Sequence, residues 1–216
     1  MILSKIIYNL KNLQNGGITS DDYKLTNRQI EFIVDYYRAM LANQKAAAGK
    51  PISGFEQTIY SVDLEKSPVL SSPDGTVVLR SKVKIPTPIS LPDSDGITFV
   101  GLKDDYLPFL RTTFELSNLE RYRRYTANTN RWYFKDGYIF VVTPDLTALD
   151  DVMVTLVAES PRDVINFNKT NKELYYDWEY PFPSNWMAQM QNLFLSSETR
   201  ALSIPKDDIN DGNDIK

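Results

Sequence analysis

Residues 132–142 read Trp132-Tyr133-Phe134-Lys135-Asp136-Gly137-Tyr138-Ile139-Phe140-Val141-Val142. Two runs of aromatic and β-branched residues flank Asp136-Gly137, a pair suited to a type I′ turn because both of its loop positions need a positive φ. The pattern therefore predicts a β-hairpin. In this register Tyr133 faces Phe140, an aromatic cross-strand pair that stabilises a sheet.

Short β-rich runs lie on both sides of this hairpin. Before it, strands are predicted at 76–79 and 97–100, whereas the Pro-rich stretch 85–89 lacks two ladder donors and should be an edge or an extended connector. After it, residues 152–158 are apolar on both faces and should form a central, covered strand. Several short strands separated by turns favour an antiparallel sandwich or a barrel-like sheet.

Two helices precede the β-rich part of the chain. An apolar stripe at helical spacing predicts the first helix at 2–14. Thr26 and Gln29 form a capping-box pattern, and apolar residues then recur at helical spacing up to Gly49, which predicts a second helix at 27–47.

Shorter helical signals follow. The leucine spacing at 114–125 predicts a short helix, and Ser160-Pro161 reads as the N-cap and first residue of another. Ser184 is a candidate N-cap for a C-terminal helix at 184–200. We therefore predict an α+β fold in which N-terminal helices and a C-terminal helix surround a central antiparallel β sandwich or barrel-like sheet. The expected regions are an N-terminal helical region (1–50), a β-rich domain (51–183), a C-terminal helix (184–204) and a flexible acidic tail (205–216).

The composition is that of a globular chain. Its 216 residues fit one large or two small domains, and about 70% of the surface of the unfolded chain should be buried on folding. The absence of cysteine and histidine excludes thiol nucleophiles, iron–sulfur clusters, the usual general base and the commonest metal ligand. The nine glycines form neither a P-loop nor a dinucleotide-binding pattern. We expect no enzymatic activity, no cofactor and no metal site.

Net charge and hydropathy restrict the kinds of partner that the chain is expected to bind. The net charge of −4 gives no overall reason to expect binding to DNA or to an anionic membrane. Polar residues interrupt the N-terminal apolar stretch, so it lacks the core of a signal peptide, and no apolar run reaches the length of a membrane span. We expect an intracellular, soluble product.

Some acidic residues are candidates for a calcium-binding or a carbohydrate-active site. Asp93-Ser94-Asp95-Gly96 and the acidic run 207–212 resemble the start of a calcium loop but lack its spacing, so a solvated turn and tail are the preferred interpretations. Asp177 and Glu179 lie in an aromatic setting that would suit a carbohydrate-active site. Because the chain has 28 acidic residues, such pairs also arise by chance.

A basic aromatic strip offers a stronger candidate. It comprises Arg111, Arg121, Arg123, Arg124, Arg131 and Lys135, interleaved with Tyr122, Tyr125, Trp132 and Tyr133. Residues 111–135 carry six basic and two acidic side chains, whereas residues 136–180 carry three basic and nine acidic ones. Such a strip can bind phosphates and bases, form a solvated face or contact a protein. We favour protein contact, with a candidate interface of Arg121, Arg123, Arg124, Arg131 and Trp132.

Several short strings appear in a characteristic order along the chain. They are 26–30 (TNRQI), 35–39 (DYYRA), 109–113 (FLRTT), 123–126 (RRYT), 160–164 (SPRDV) and 176–181 (YDWEYP). In this order the chain resembles a family of virion structural proteins of crAss-like and related Bacteroidales podoviruses.

The resemblance implies a head-to-tail connector, a ring between portal and tail. It further implies twelve copies matching a portal's symmetry and contacts with itself, the portal and other neck or tail rings. DNA passing through the channel would be contacted weakly at most, and no membrane would be involved. The protein would be made in the bacterial host cytoplasm and reside in the virion. A carbohydrate-active tail protein and a DNA-contacting virion component remain the alternatives.

Overall fold

The fold is α+β, as the sequence predicts. The computed structural model describes residues 1–14, 25–67, 77–92, 94–103, 107–120, 129–143, 149–168 and 176–199. Its helices are α1 (Leu3–Gln14), α2 (Asn27–Ala47), α3 (Phe114–Glu120), α4 (Pro161–Phe167) and α5 (Met187–Phe194). Its strands are β1 (Gln57–Lys66), β2 (Val77–Ser81), β3 (Ile97–Gly101), β4 (Leu110–Arg111), β5 (Arg131–Lys135), β6 (Tyr138–Thr143) and β7 (Asp151–Leu156).

One sheet contains these seven strands in the order β3-β7-β1-β2-β6-β5-β4. The backbone N–H of Phe109 donates to the carbonyl of Val100 in β3 at 2.8 Å, and that of Thr112 donates to the carbonyl of Trp132 in β5 at 2.9 Å. Because one short segment bonds to both ends of the strand order, the sheet curls into a half-barrel. This confirms the barrel-like form of the predicted sheet.

The sheet is mixed rather than purely antiparallel. β4 and β5 pair in parallel over two residues, while the other strand pairs are antiparallel. Helix α3 lies between β4 and β5 in the chain, and a parallel pair requires a crossover connection of this kind.

The hairpin of β5 and β6 has the predicted turn and register. Asp136 has a φ of 55° and Gly137 a φ of 87°, as a type I′ turn requires. Tyr133 and Phe140 face each other across the strands, and their rings stack with centroids 4.9 Å apart. Local turn chemistry therefore sets this register.

β7 is a covered strand, as its apolar pattern predicts. It pairs with β1 on one side and with β3 on the other, and four of its side chains are buried: Val152, Met153, Val154 and Leu156.

The sequence pattern does not predict β1, which is the longest described strand. A register shift between Ile59 and Val62 interrupts its two-residue alternation, which is the signal that identifies a strand.

The Pro-rich stretch 85–89 is an extended connector, as predicted. The backbone N–H of Ile85 donates to the carbonyl of Gly137 at 3.0 Å, and that of Ile89 donates to Val157 at 2.9 Å. These donors lie at the non-proline positions, so the connector is held in place without a regular strand ladder.

Helices α1 and α2 confirm the predicted boundaries closely. The backbone N–H of Thr26 donates to Gln29 Oε1 at 2.8 Å, and the N–H of Gln29 donates to Thr26 Oγ1 at 3.3 Å. These reciprocal bonds form the predicted capping box. At the other end Gly49 has a φ of 65°, the left-handed conformation in which helices commonly terminate.

Helix α4 has the predicted N-cap, Ser160, and the predicted first residue, Pro161, whereas α3 and the C-terminal helix differ in detail from the predictions. Helix α3 begins at the predicted position, but the rest of the predicted 114–125 helix lies outside the described residues. The C-terminal helix begins with a 3-10 turn (Ser184–Trp186) and continues as α5, so its N-cap is Pro183 rather than Ser184. Tight 3-10 turns commonly begin α-helices. The predicted acidic tail 205–216 also lies outside the described residues.

The chain divides into two compact units. The first contains residues 1–37 and 176–216, and the second contains residues 38–175. In the first unit, the N–H of Tyr180 donates to the carbonyl of Met1 at 2.7 Å, and the Tyr180 hydroxyl donates to Asp35 Oδ1 at 2.6 Å. The second unit contains the half-barrel.

Candidate assembly interface

Arg111 is the first described residue of the basic aromatic strip. It lies on β4, and the parallel register places it opposite Trp132 of β5. Its guanidinium donates to Asp95 Oδ2 at 2.6 Å and lies 5.7 Å from the centroid of the Trp132 ring. Arg111 is therefore partly satisfied within its own chain, and Asp95 serves an ion pair rather than a calcium loop.

Two residues of the candidate interface set lie inside the fold. Arg131 is 4% exposed and Trp132 is 3% exposed, because consecutive residues of β5 are buried on both faces of the sheet. Both side chains thus pack within their own chain. The other three members, Arg121, Arg123 and Arg124, lie outside the described residues, and the interface role of the set stays a prediction.

Two residues of the strip, Tyr133 and Lys135, pack against neighbouring aromatic rings. The Lys135 ammonium lies 3.9 Å from the centroid of the Phe114 ring, which meets Tyr133 edge-on at a centroid distance of 5.8 Å. Tyr133 in turn stacks on Phe140. Burial raises the pKa of Tyr133 to about 12, since an ionised phenol would lose its hydration. The Tyr133 ring is therefore packed within the fold and is not a free stacking platform.

The two carboxylates considered for a carbohydrate-active site, Asp177 and Glu179, both contact residues at the start of the chain. The Ser4 hydroxyl donates to Asp177 Oδ1 at 2.8 Å. Glu179 lies 3.8 Å from the N-terminal amine of Met1, and its side chain is 90% exposed. Both carboxylates thus contact the beginning of the chain. Among the residues that the structure describes, no group of three or more acidic side chains could hold a metal ion.

Exposed acidic side chains lie on the elements that follow the strip. Asp150, Glu159 and Asp163 are exposed beside β7 and α4. Asp151 of β7 accepts a hydrogen bond from the Ser61 hydroxyl at 2.7 Å. The described part of the acidic segment therefore presents negative charge to the solvent, which matches the charge segregation in the sequence.

Exposed apolar side chains are features that the sequence reasoning misses. Phe32 and Tyr36 on α2 are 74% and 61% exposed, and Leu107 and Leu110 are 62% and 52% exposed. A signal for the first pair exists in the sequence, since both aromatics fall outside the apolar stripe of α2. Large exposed apolar groups that cluster in this way are typical of protein interaction sites.

A family comparison identifies the chain. The family model of phage tail ring protein 2, a crAss-like ring family, matches residues 2–215. The chain belongs to this family. No curated protein matches it. The match confirms the resemblance drawn from the ordered strings in the sequence.

Family membership assigns this tail ring protein to the virion, where it is a structural component of a tail ring. Charge segregation and exposed apolar side chains agree with a protein that meets other protein surfaces. Within the described residues of this ring protein, no helix is long and apolar enough to cross a bilayer.

Proposed function

We propose that this ring protein is the head-to-tail connector, a ring of twelve copies between portal and tail that acts without catalysis. It is made in the host cytoplasm and joins the particle during assembly, with the portal and other neck or tail rings as its partners. Its membership in the tail ring family carries the proposal. The position, the copy number and the partners go beyond that membership.

A closed ring requires heterologous contacts between its copies. In a cyclic ring one face of each subunit meets a different face of the next. The basic segment 111–135 and the acidic segment 136–180 have net charges of opposite sign and comparable magnitude, +4 and −6. Pairing of one with the other between neighbours would provide such a contact, and arginine with carboxylate is the geometry best suited to it.

A ring whose channel carries DNA should contact that DNA only weakly. DNA must slide through a connector, and several arginine contacts to phosphates would hold it in place. The chain is net acidic, and Arg111 is paired with Asp95. This favours carboxylates of a neighbour over phosphates as the partners of Arg121, Arg123 and Arg124.

Imaging of purified particles tests the proposal. Single-particle reconstruction, with the ring protein located by a bound antibody fragment, should show twelve copies adjoining the portal. An antibody fragment against the portal is the matched control for position. A ring remote from the portal would refute the connector role, and an isologous dimer as the building unit would refute the heterologous ring.

A further inference from the structure

An aromatic ridge runs along the exposed face of α2. Arg28, Phe32 and Tyr36 follow one another at four-residue spacing, so they lie on the same side of the helix. Phe32 is the most exposed large apolar side chain among the described residues, at 74%, and Tyr36 is 61% exposed. We call these three residues the aromatic ridge.

A shallow groove lies beside the aromatic ridge. Its volume is about 560 Å³, and its lining residues are Leu25, Thr26, Arg28, Gln29, Phe32 and Ile33. The capping box fixes the first turn of α2, and Ile30 and Val34 are fully buried on the other side of the helix. The ridge and groove therefore lie on a helix whose first turn is capped and whose other side is packed.

A second group of exposed apolar side chains lies in the half-barrel unit. Leu107, Leu110 and Leu116 are 62%, 52% and 44% exposed within ten residues of chain, and Glu115 beside them is also exposed. We call residues 107–116 the leucine segment. Its backbone is anchored, since the N–H of Leu110 donates to the carbonyl of Asn130 at 3.1 Å.

The aromatic ridge and the leucine segment carry charges of opposite sign that can pair. The aromatic ridge begins with a cation, Arg28, and the leucine segment contains an anion, Glu115, besides Arg111, whose charge is paired with Asp95. Among the residues that the structure describes, neither Arg28 nor Glu115 forms an ion pair. Within this part of the chain each of the two charges thus borders exposed apolar side chains and has no ion-pair partner, as at the polar rim of a protein interface.

We propose that the aromatic ridge of one copy binds the leucine segment of the next copy, with Arg28 paired to Glu115 across the contact. The inference rests on the proposed ring, for which it names a second contact between neighbouring copies besides the pairing of the basic and acidic segments. The contact joins two different surfaces, so it is heterologous and repeats around a closed ring. The aromatic side chains supply the buried centre, and the ion pair sets the register.

A charge swap tests this pairing. Arg28→Glu and Glu115→Arg should each weaken ring formation about tenfold, because each single variant places like charges opposite one another. The double variant should return to within about threefold of the wild type, since the pair is restored with reversed polarity. Lys5→Glu is the matched control, because it makes the same charge change at an exposed position of α1.

Sedimentation velocity and negative-stain imaging of the chain, co-expressed with its neighbouring virion proteins, provide the readout. Rings that form equally well in both single variants would overturn the ridge contact and leave the proposed ring intact. A wild-type chain that forms no ring under these conditions would overturn both. The two failures are therefore distinguishable.

Thiol crosslinking gives an independent test, because the chain has no cysteine of its own. The Arg28→Cys/Glu115→Cys double variant, treated with a bismaleimide whose spacer matches the span of an arginine–carboxylate pair, should give a ladder of covalent oligomers, since each copy links to two neighbours. Each single variant should stop at a dimer at most, and Lys5→Cys/Glu115→Cys should give no ladder. Wild-type-like rings of the double variant without a ladder would refute the contact.

Discussion

The guanidinium of Arg38 is fully buried and donates a hydrogen bond of 2.7 Å to the backbone carbonyl of Ala158. It also donates to the carbonyl of Phe55 at 2.5 Å. One side chain of α2 thus satisfies carbonyls from two other parts of the second compact unit. A planar guanidinium can bond to two acceptors at once, which a lysine ammonium does with less geometric precision.

Replacement of Arg38 should destabilise the fold. Arg38→Met leaves two buried carbonyls without these donors, so we expect the free energy of unfolding to fall by about 3 kcal/mol or more. Urea denaturation measures this loss. Arg28→Met on the exposed part of the same helix is the control and should change stability by less than about 0.5 kcal/mol. Equal effects at the two positions would contradict the role of Arg38.

Gly137 should resist a β-branched replacement. Gly137→Val should cost more than about 1 kcal/mol, because a β-branched residue is strained at the φ of 87° observed there. Gly137→Asn is the control, since asparagine tolerates this region far better. A Cβ would meet only the flexible Lys84 side chain, 3.2 Å away, so backbone strain dominates. Thermal unfolding that is unchanged in the valine variant would refute this assignment.

Tyr133 should make stability depend on alkaline pH. Burial raises its pKa to about 12 in the folded protein, above the ordinary value of about 10. The folded state therefore holds the proton more tightly, and the resulting stability is fully present below about pH 10 and is lost as the pH rises through about 12. The difference in unfolding free energy between wild type and Tyr133→Phe should follow this decline.

A difference between the wild type and Tyr133→Phe that stays flat across this pH window would argue against a buried phenol at this position.

Charge reversal in the basic aromatic strip should impair assembly rather than folding. Arg123→Glu combined with Arg124→Glu should weaken or block incorporation into particles, because both positions are expected to meet carboxylates of a neighbour. Thermal unfolding should change little, since exposed ion pairs contribute at most about 1 kcal/mol. Steeply salt-dependent DNA binding by the wild type, abolished by the reversal while assembly proceeds, would favour the nucleic-acid interpretation instead.

The sequence by itself determined the elements whose signals are local. The capping box of Thr26 and Gln29 fixes the beginning of α2, and Asp136-Gly137 fixes the hairpin turn and its register. The ordered strings along the chain also indicated the phage ring family, which the family model confirms. Such signals suffice because the interacting residues lie within a few positions of one another.

The tertiary structure alone decided the contacts between distant parts of the chain. Arg38 and Ala158 are separated by 120 positions, and neither local pattern indicates the other. The burial of Arg131 and Trp132 likewise depends on what covers both faces of β5, although composition suggested an exposed strip. The half-barrel closes through residues 108–112, whose bonds to β3 and β5 follow from the path of the whole chain. The periodicity of apolar residues shows which side of a helix or strand is apolar, whereas tertiary packing determines which other element covers that side.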